Sequence, residues 1–207
     1  MKIIDISQKL HHGTPVWPGD TPFSFQLNWT KEQTGSVNVG QLTMSTHTGT
    51  HIDAPYHFDN SGKKVADLPL ERFIGPALVV NVSGKTSIGA RDIQHLDLRS
   101  VSKLLLKTNS WENKTEFPSE ITFLQEDLAP FLMQQGVDLI GVDVPSVDPI
   151  DSKALPAHHS IESSHIQILE GIVLDEVEEG IYELFALPLP LAEADGCPVR
   201  AILIDRT

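Results

Sequence analysis

The segment 45-STHTGTHIDAPYHF-58 contains four side chains of the kind that bind metal ions, and all four stand at odd positions: His47, His51, Asp53 and His57. In an extended chain alternate side chains share one face, so this spacing predicts that the four look into one cavity. A lone histidine in such a segment would more often be a hydrogen-bonding residue of a polar edge strand. Four ligand-type residues in phase favour a site.

A straight segment cannot form that site, because six extended residues span roughly 20 Å whereas metal ligands lie about 2 Å from the ion. The backbone must therefore bend between His47 and Asp53. Gly49 supplies the backbone freedom for the bend, and Pro55 interrupts the segment further along. Imidazole and carboxylate ligands without thiolate suit Zn²⁺, Mn²⁺ or Fe²⁺ in a site that keeps open positions for water. The segment predicts a metal site of the catalytic kind.

A second group of such residues lies in 155-LPAHHSIESSHIQILEG-171 and cannot all bind one ion: His158, His159, Glu162, His165 and Glu170. A helix that begins near Pro156 would put His158 and Glu162 one turn apart on one face, while Glu170 would come from the strand that follows. A solvated helix with Ser160 or Glu162 as a cap explains the spacing equally well. The residues alone leave both alternatives open.

Composition limits the partners of the chain. The 207 residues include 15 Lys and Arg against 28 Asp and Glu, a net charge of −13 that disfavours nucleic acid and anionic membranes. No apolar run approaches the ~20 residues that span a bilayer, and the N-terminus lacks a signal-peptide pattern, so we expect a cytoplasmic protein. The single cysteine, Cys197, excludes an intrachain disulfide framework and a cysteine-rich zinc site.

Strands and helices alternate along the chain, which predicts an α/β protein with one domain over residues 1–207. A turn-rich N-terminal third argues against a simple doubly wound sheet. Asp148 and Asp151, beside Pro149, are interpreted as turn formers, and His11 and His12 as surface residues. Strands are predicted at 2–7, 26–30, 72–82, 101–108 and 137–144, and a helix at 124–136 that ends at Gly136.

The segment HTGTHIDAPYHF resembles the HxGTHxDxPxH signature of the metal-dependent cyclase-like hydrolases at every position. Over nearly the whole chain the resemblance is to the bacterial kynurenine formamidases of that family. It is carried further by VWPGD near the start, DVPSVDPIDSKALPAHHSI in the third quarter, and ILEGIVLDEV and YELFALPLPLAEADGCPVRAIL towards the end.

The resemblance implies a cyclase-like fold, with a mixed-sheet or β-barrel-like core flanked by helices, and a homodimer. It implies two Zn²⁺ ions per subunit, with Mn²⁺ or another divalent ion as alternatives. Asp53 would bridge the two ions, and the family's spacing of twelve residues before Glu170 selects His158 over His159. The implied ligands are His47, His51 and Asp53 for the first ion and Asp53, His158 and Glu170 for the second.

The activity implied by the resemblance is hydrolysis of N-formyl-L-kynurenine to L-kynurenine and formate in tryptophan degradation. A zinc-bound hydroxide would attack, His57 would act as the acid/base, and Trp17 would line the pocket of a small aromatic formamide. Two alternatives are a related hydrolase of isatin or another small cyclic amide, and a metal-binding protein without catalytic activity.

Overall fold

A computed structural model of the chain describes residues 1–206. Its strands are β1 (Lys2–Asp5), β2 (Ser24–Trp29), β3 (Val39–Thr43), β4 (His51–Asp53), β5 (Ile74–Asn81), β6 (Ser87–Ile88), β7 (Lys103–Lys107), β8 (Phe123–Leu124), β9 (Leu139–Val142), β10 (Gln167–Glu170), β11 (Gly180–Phe185), β12 (Gly196–Pro198) and β13 (Ile202–Asp205). Its α-helices are α1 (Lys31–Thr34), α2 (Ala90–Ile93), α3 (Leu128–Gln134) and α4 (Pro156–Ser163).

Nine of these strands form one mixed sheet in the order β1-β13-β11-β5-β7-β9-β10-β4-β12. The four central strands, β5, β7, β9 and β10, run parallel, and the strands on either side pair antiparallel. The sheet curls into a half-barrel, which confirms the predicted α/β fold with a mixed, barrel-like core.

The central strands are apolar because both of their faces are covered. In β7, Leu104 and Leu106 belong to one buried cluster with residues of α3 and α4, whereas Leu105 between them belongs to a second buried cluster. Strands buried on both faces have nearly continuous apolar sequences, which is the pattern that predicted β5, β7 and β9.

The predicted helix 124–136 is shorter in the structure. Leu124 lies in β8, and α3 begins only at Leu128. Gly136 follows the helix with φ +82°, as a C-terminal glycine in the left-handed region does, so this part of the prediction is confirmed.

The N-terminal third is irregular, as predicted, and contributes a hairpin of β2 and β3 that is separate from the main sheet. Phe25 and Leu42 are direct partners in this hairpin and are each about half exposed, as is Leu27. None of the helices within residues 1–206 combines the length and the apolar character that crossing a membrane requires.

Candidate active site

Strand β4 lies between β10 and β12, and its register brings distant parts of the chain together. His51 pairs directly with Glu170 of β10, and Asp53 pairs with Gly196 of β12, which places the preceding Asp195 beside the same site. The sheet therefore joins segments that are more than a hundred residues apart in the sequence.

The predicted bend before Asp53 is present. Gly49 has φ +68°, and the turn brings His47 Nδ1 to 2.9 Å from Asp53 Oδ1. Gly196 leaves room for this imidazole, because a Cβ atom at that position would lie 2.5 Å from His47 Cε1.

The extended chain that the two-residue spacing suggested is found in only part of the predicted, bent segment 47–57. Only His51–Asp53 is a strand, while His47 lies in a turn and His57 ends a 3₁₀ helix, Pro55–His57. The convergence of the side chains comes from two changes of backbone direction and not from a continuous strand face.

Helix α4 begins at Pro156, as predicted, and carries His158 into the site. Asp148 is fully buried and fixes this helix end: its carboxylate accepts hydrogen bonds from the backbone N–H groups of Ala157 and His158, at 3.0 and 3.1 Å, and from His158 Nδ1, at 2.7 Å. The interpretation of Asp148 as a turn former is therefore wrong, because its contacts orient a site histidine.

Two imidazoles are held in one tautomer by an oxygen atom. His51 Nδ1 donates to the carbonyl of Gly49 at 3.0 Å, and His158 Nδ1 donates to Asp148 at 2.7 Å. The free Nε2 of His51 lies 3.4 Å from both Asp53 and Glu170, and that of His158 lies 3.5 Å from Asp53. A pinned Nδ1 that leaves Nε2 available is the usual arrangement of metal-binding histidines.

The cavity favours positive charge because it contains two buried carboxylates. Burial alone lowers the pKa of His51, but hydrogen bonds and charge interactions with Asp53 and Glu170 outweigh burial and raise it to about 10. The pKa of His158 is likewise raised to about 10, against the effect of burial, by Asp148 and Asp53. Without a cation, these imidazoles hold protons that a metal ion would displace.

His57 stands apart from the other histidines chemically. Its side chain is 35% exposed, and its pKa is lowered, chiefly by burial. Its Nδ1 lies 3.5 Å from Asp195 Oδ2, and its ring packs on that of His47 with centroids 3.9 Å apart.

Asp195 belongs to the same group of side chains and was not predicted from the sequence. Its carboxylate contacts His47 Nε2 at 3.1 Å and accepts a hydrogen bond from Thr46 Oγ1 at 2.8 Å. The hydrogen bond with His47 is the main cause of its lowered pKa. The only available signal was its place in the matched C-terminal stretch LAEADGCP, because pairing of β12 with β4 cannot be read from local sequence.

The donor set fits divalent cations. His47, His51 and Asp53 bring one potential ligand atom each to within 4.8 Å of one another, and so do Asp53, His158 and Glu170. Asp53 belongs to both groups, and its Oδ2 is buried with no hydrogen-bond partner among residues 1–206. A buried carboxylate oxygen without a donor is unfavourable unless a cation satisfies it.

The neighbouring histidines and glutamate of the second cluster lie elsewhere. His159 is exposed and contacts the Phe58 ring, with centroids 5.6 Å apart. Glu162 and His165 line a different cavity, beside Arg72. The structure therefore brings His158, and not His159 or Glu162, to Asp53 and Glu170.

A pocket of about 520 Å³ opens onto the histidines and carboxylates. Trp17, Phe117 and Trp111 form an aromatic wall: the rings of Trp17 and Phe117 meet edge to face at 5.1 Å, and those of Phe117 and Trp111 lie 6.3 Å apart. Trp17 lines the pocket where the resemblance placed it, while Phe117 and Trp111 were not predicted. Flat aromatic walls beside a polar centre suit a small aromatic ligand.

Comparisons with known proteins agree with this fold and site. A family model described as putative cyclase matches residues 4–149. The kynurenine formamidase of Geobacillus thermodenitrificans is 59% identical over 200 residues, which are 97% of this chain and 96% of that protein. A solved structure of a potential metal-dependent hydrolase with cyclase activity has a TM-score of 0.85 and 29% identity, covering 100% of this chain and 98% of the other. Isatin hydrolase A from Labrenzia aggregata, bound to benzyl benzoate, shares the fold with a TM-score of 0.84 and 20% identity, covering 98% and 93%.

Fold, site and relatives together define the class of this protein, which is a hydrolase with the side chains of a metal site. The chain belongs to the putative cyclase family. Its sequence identity of 56–59% over nearly the whole chain groups it with the kynurenine formamidases. The prediction that the chain is an enzyme is confirmed by these relatives.

Proposed function

We propose that this enzyme hydrolyses the formamide bond of N-formyl-L-kynurenine to give L-kynurenine and formate. The observation that carries the proposal is the junction of an aromatic-walled pocket with a group of histidines around two buried carboxylates. Relatives named kynurenine formamidase, at 56–59% identity over nearly the whole chain, support the choice of substrate. We also propose that residues 1–207 form one hydrolase domain around this site.

We propose that two divalent cations, Zn²⁺ in the first instance, bind in this cavity and share Asp53. His47 and His51 would complete the ligands of one ion, and His158 and Glu170 those of the other. Two observations support this assignment: Oδ2 of Asp53 has no hydrogen-bond partner among the described residues, and Nε2 is free in both His51 and His158. A bound divalent cation supplies Lewis acidity, which lowers the pKa of water and polarises a carbonyl group.

We propose His57 as the acid/base. Because its pKa is lowered, the imidazole is neutral at neutral pH and can take a proton from the attacking water. The protonated ring can then deliver this proton to the anilide nitrogen as the C–N bond breaks, which removes the poor leaving group as a neutral amine. Asp195, 3.5 Å away, stabilises the ring while it is charged.

An ultraviolet assay with N-formyl-L-kynurenine and isatin side by side, before and after chelation, tests the proposal. We expect turnover of N-formyl-L-kynurenine, its loss on chelation and its recovery with Zn²⁺. Turnover of isatin alone would refute the substrate assignment. Undiminished turnover of chelated, metal-free protein would refute the role of the cations.

We further propose a cytoplasmic homodimer, as the family resemblance implies. The exposed apolar residues Phe25, Leu27 and Leu42 on the hairpin of β2 and β3 support self-association, because burial of such a face is favourable. Sedimentation of the purified protein tests this, and a strictly monomeric species at micromolar concentration would contradict it.

A further inference from the structure

The wall of the pocket carries two opposite charges that the proposed chemistry does not use. Asp20 and Lys153 are the charged residues that line the pocket apart from the histidines and Glu170 of the candidate metal site. Both are exposed. Asp20 accepts a hydrogen bond from the backbone N–H of Thr21, and within the described part of the chain neither residue has an ion-pair partner.

Local structure fixes the backbone at both positions. Asp20 ends a tight turn in which its N–H donates to the carbonyl of Trp17 at 2.9 Å, so the charge follows directly on the aromatic wall. Lys153 lies in the segment that leads into α4, where Ser152 Oγ accepts a hydrogen bond from the N–H of Leu155 at 3.2 Å. The same segment is anchored by Asp148 at one end and leads to His158 at the other.

We infer that Asp20 and Lys153 form a subsite for an α-amino-acid group, in which Lys153 binds the carboxylate and Asp20 the ammonium. This inference rests on the proposed function, because the tail of N-formyl-L-kynurenine is such a zwitterion. The substrate carries its ring, its formamide and its amino-acid tail on one small frame. The pocket offers an aromatic wall, a polar centre and two opposite charges to match them.

Lys153 has a second physical role in this arrangement. The chain has a net charge of −13, and such a field disfavours the approach of a carboxylate. Lys153 is the one lysine or arginine among the described residues that line the pocket, so it supplies the local positive charge that a carboxylate ligand needs. A neutral cyclic amide would gain nothing from either charge.

The test compares enzyme variants with substrate analogues. For Lys153→Gln we expect the KM for N-formyl-L-kynurenine to rise about three- to tenfold with little change in kcat, because a partly exposed charged contact is lost away from the reacting bond. The analogue that lacks the carboxylate should show no such rise. For Asp20→Asn we expect the KM for N-formyl-L-kynurenine to rise in the same way, while the KM for the analogue that lacks the amine should stay unchanged.

Lys31→Gln is the matched control, since Lys31 is exposed on the hairpin connection and the variant makes the same change in net charge. Two results would overturn the inference while leaving the proposed function intact. One is an unchanged KM for N-formyl-L-kynurenine in both pocket variants, and the other is an equal rise in the KM for formanilide, which lacks the whole amino-acid tail.

Titration of metal-loaded protein with L-kynurenine gives a second readout that needs no turnover. We expect Lys153→Gln to raise the Kd for L-kynurenine about three- to tenfold. An unchanged Kd would count against the subsite. Failure of the wild-type enzyme to cleave N-formyl-L-kynurenine would instead refute the proposed function.

Discussion

Asp148→Asn should weaken metal binding without removing any proposed ligand. The carboxylate is fully buried and accepts three hydrogen bonds, two of them from His158. Burial by itself raises its pKa, but these hydrogen bonds lower it, so the group is ionised at neutral pH. Asparagine has the same shape but only one acceptor oxygen and a donating NH₂ group.

The amide oxygen of the variant can keep the contact with the Ala157 N–H, which leaves the NH₂ group facing the backbone N–H and Nδ1 of His158. The imidazole can avoid this clash only as the other tautomer, in which Nδ1 accepts and Nε2 carries the hydrogen. That nitrogen could no longer bind a cation. A charge-assisted hydrogen bond contributes about 1.5–3 kcal/mol, and a buried unpaired N–H costs about 1–3 kcal/mol. We therefore expect a loss of about 3 kcal/mol in stability and a metal affinity lowered about 10- to 100-fold.

Two measurements check this prediction: metal content after dialysis against graded chelator, and the free energy of unfolding in urea with and without metal. Asp151→Asn is the control, because Asp151 lies in the same turn-rich segment but is exposed. The reasoning would be refuted by wild-type metal retention in Asp148→Asn, or by equal losses in both variants.

Other substitutions separate the remaining roles. His57→Ala should keep its metal and its fold but lose about 10²- to 10⁴-fold in kcat, and a wild-type rate would remove this residue from the mechanism. His51→Ala should lose metal on dialysis; elemental analysis at the wild-type level would contradict the ligand assignment. In the metal-free folded protein the pKa of His47 is raised from 6.5 to about 9, and the pKa values of His51 and His158 are raised to about 10. The folded state therefore holds more protons than the unfolded state above pH 6.5. This contribution to stability is complete below pH 6.5 and should be lost as pH rises to 10; urea denaturation showing a gain over that window would contradict it. Gly196→Ala should displace His47, which lies 2.5 Å from the new Cβ, and lower both stability, by about 1–3 kcal/mol, and turnover; unaltered kinetics would show that the ring tolerates the shift.

The central strands could be predicted from the sequence because a strand that is buried on both faces has a nearly continuous apolar sequence. Strands β5, β7 and β9 are nearly continuous apolar runs, and the structure places them side by side in the parallel part of the sheet. The bend at Gly49 was also predictable, because distance alone required it and glycine was the residue that could provide it. The two-residue spacing over 47–57 identified side chains that the structure brings together, although the chain is a strand only at His51–Asp53.

The site residues that could not be predicted from the sequence are those whose positions depend on contacts between distant parts of the chain. Asp195 and His47 stand 148 positions apart, and only the register of β12 against β4 brings them into contact. Asp148 precedes a proline in a turn-rich segment, which is typical of a turn former; its role depends on where α4 begins and on its complete burial. Phe117 gave no periodic signal because it lies in an irregular segment, and it becomes a pocket wall through its contacts with Trp17 and Trp111.

The buried carboxylates connect the stability of this sheet edge to the chemistry of the site. Asp53 and Glu170 are each 3% exposed and lie on strands of three and four residues, where few ladder hydrogen bonds offset the cost of burying charge. Protonated imidazoles supply the compensating charge in the metal-free protein, and cations would supply it in the loaded enzyme. The residues that would hold the cations in the proposed reaction are therefore also the residues whose charge must be balanced for this edge to fold. A substitution in this group consequently affects stability and activity together, whereas His57, which is exposed and lies outside the buried strands, can be changed for activity alone.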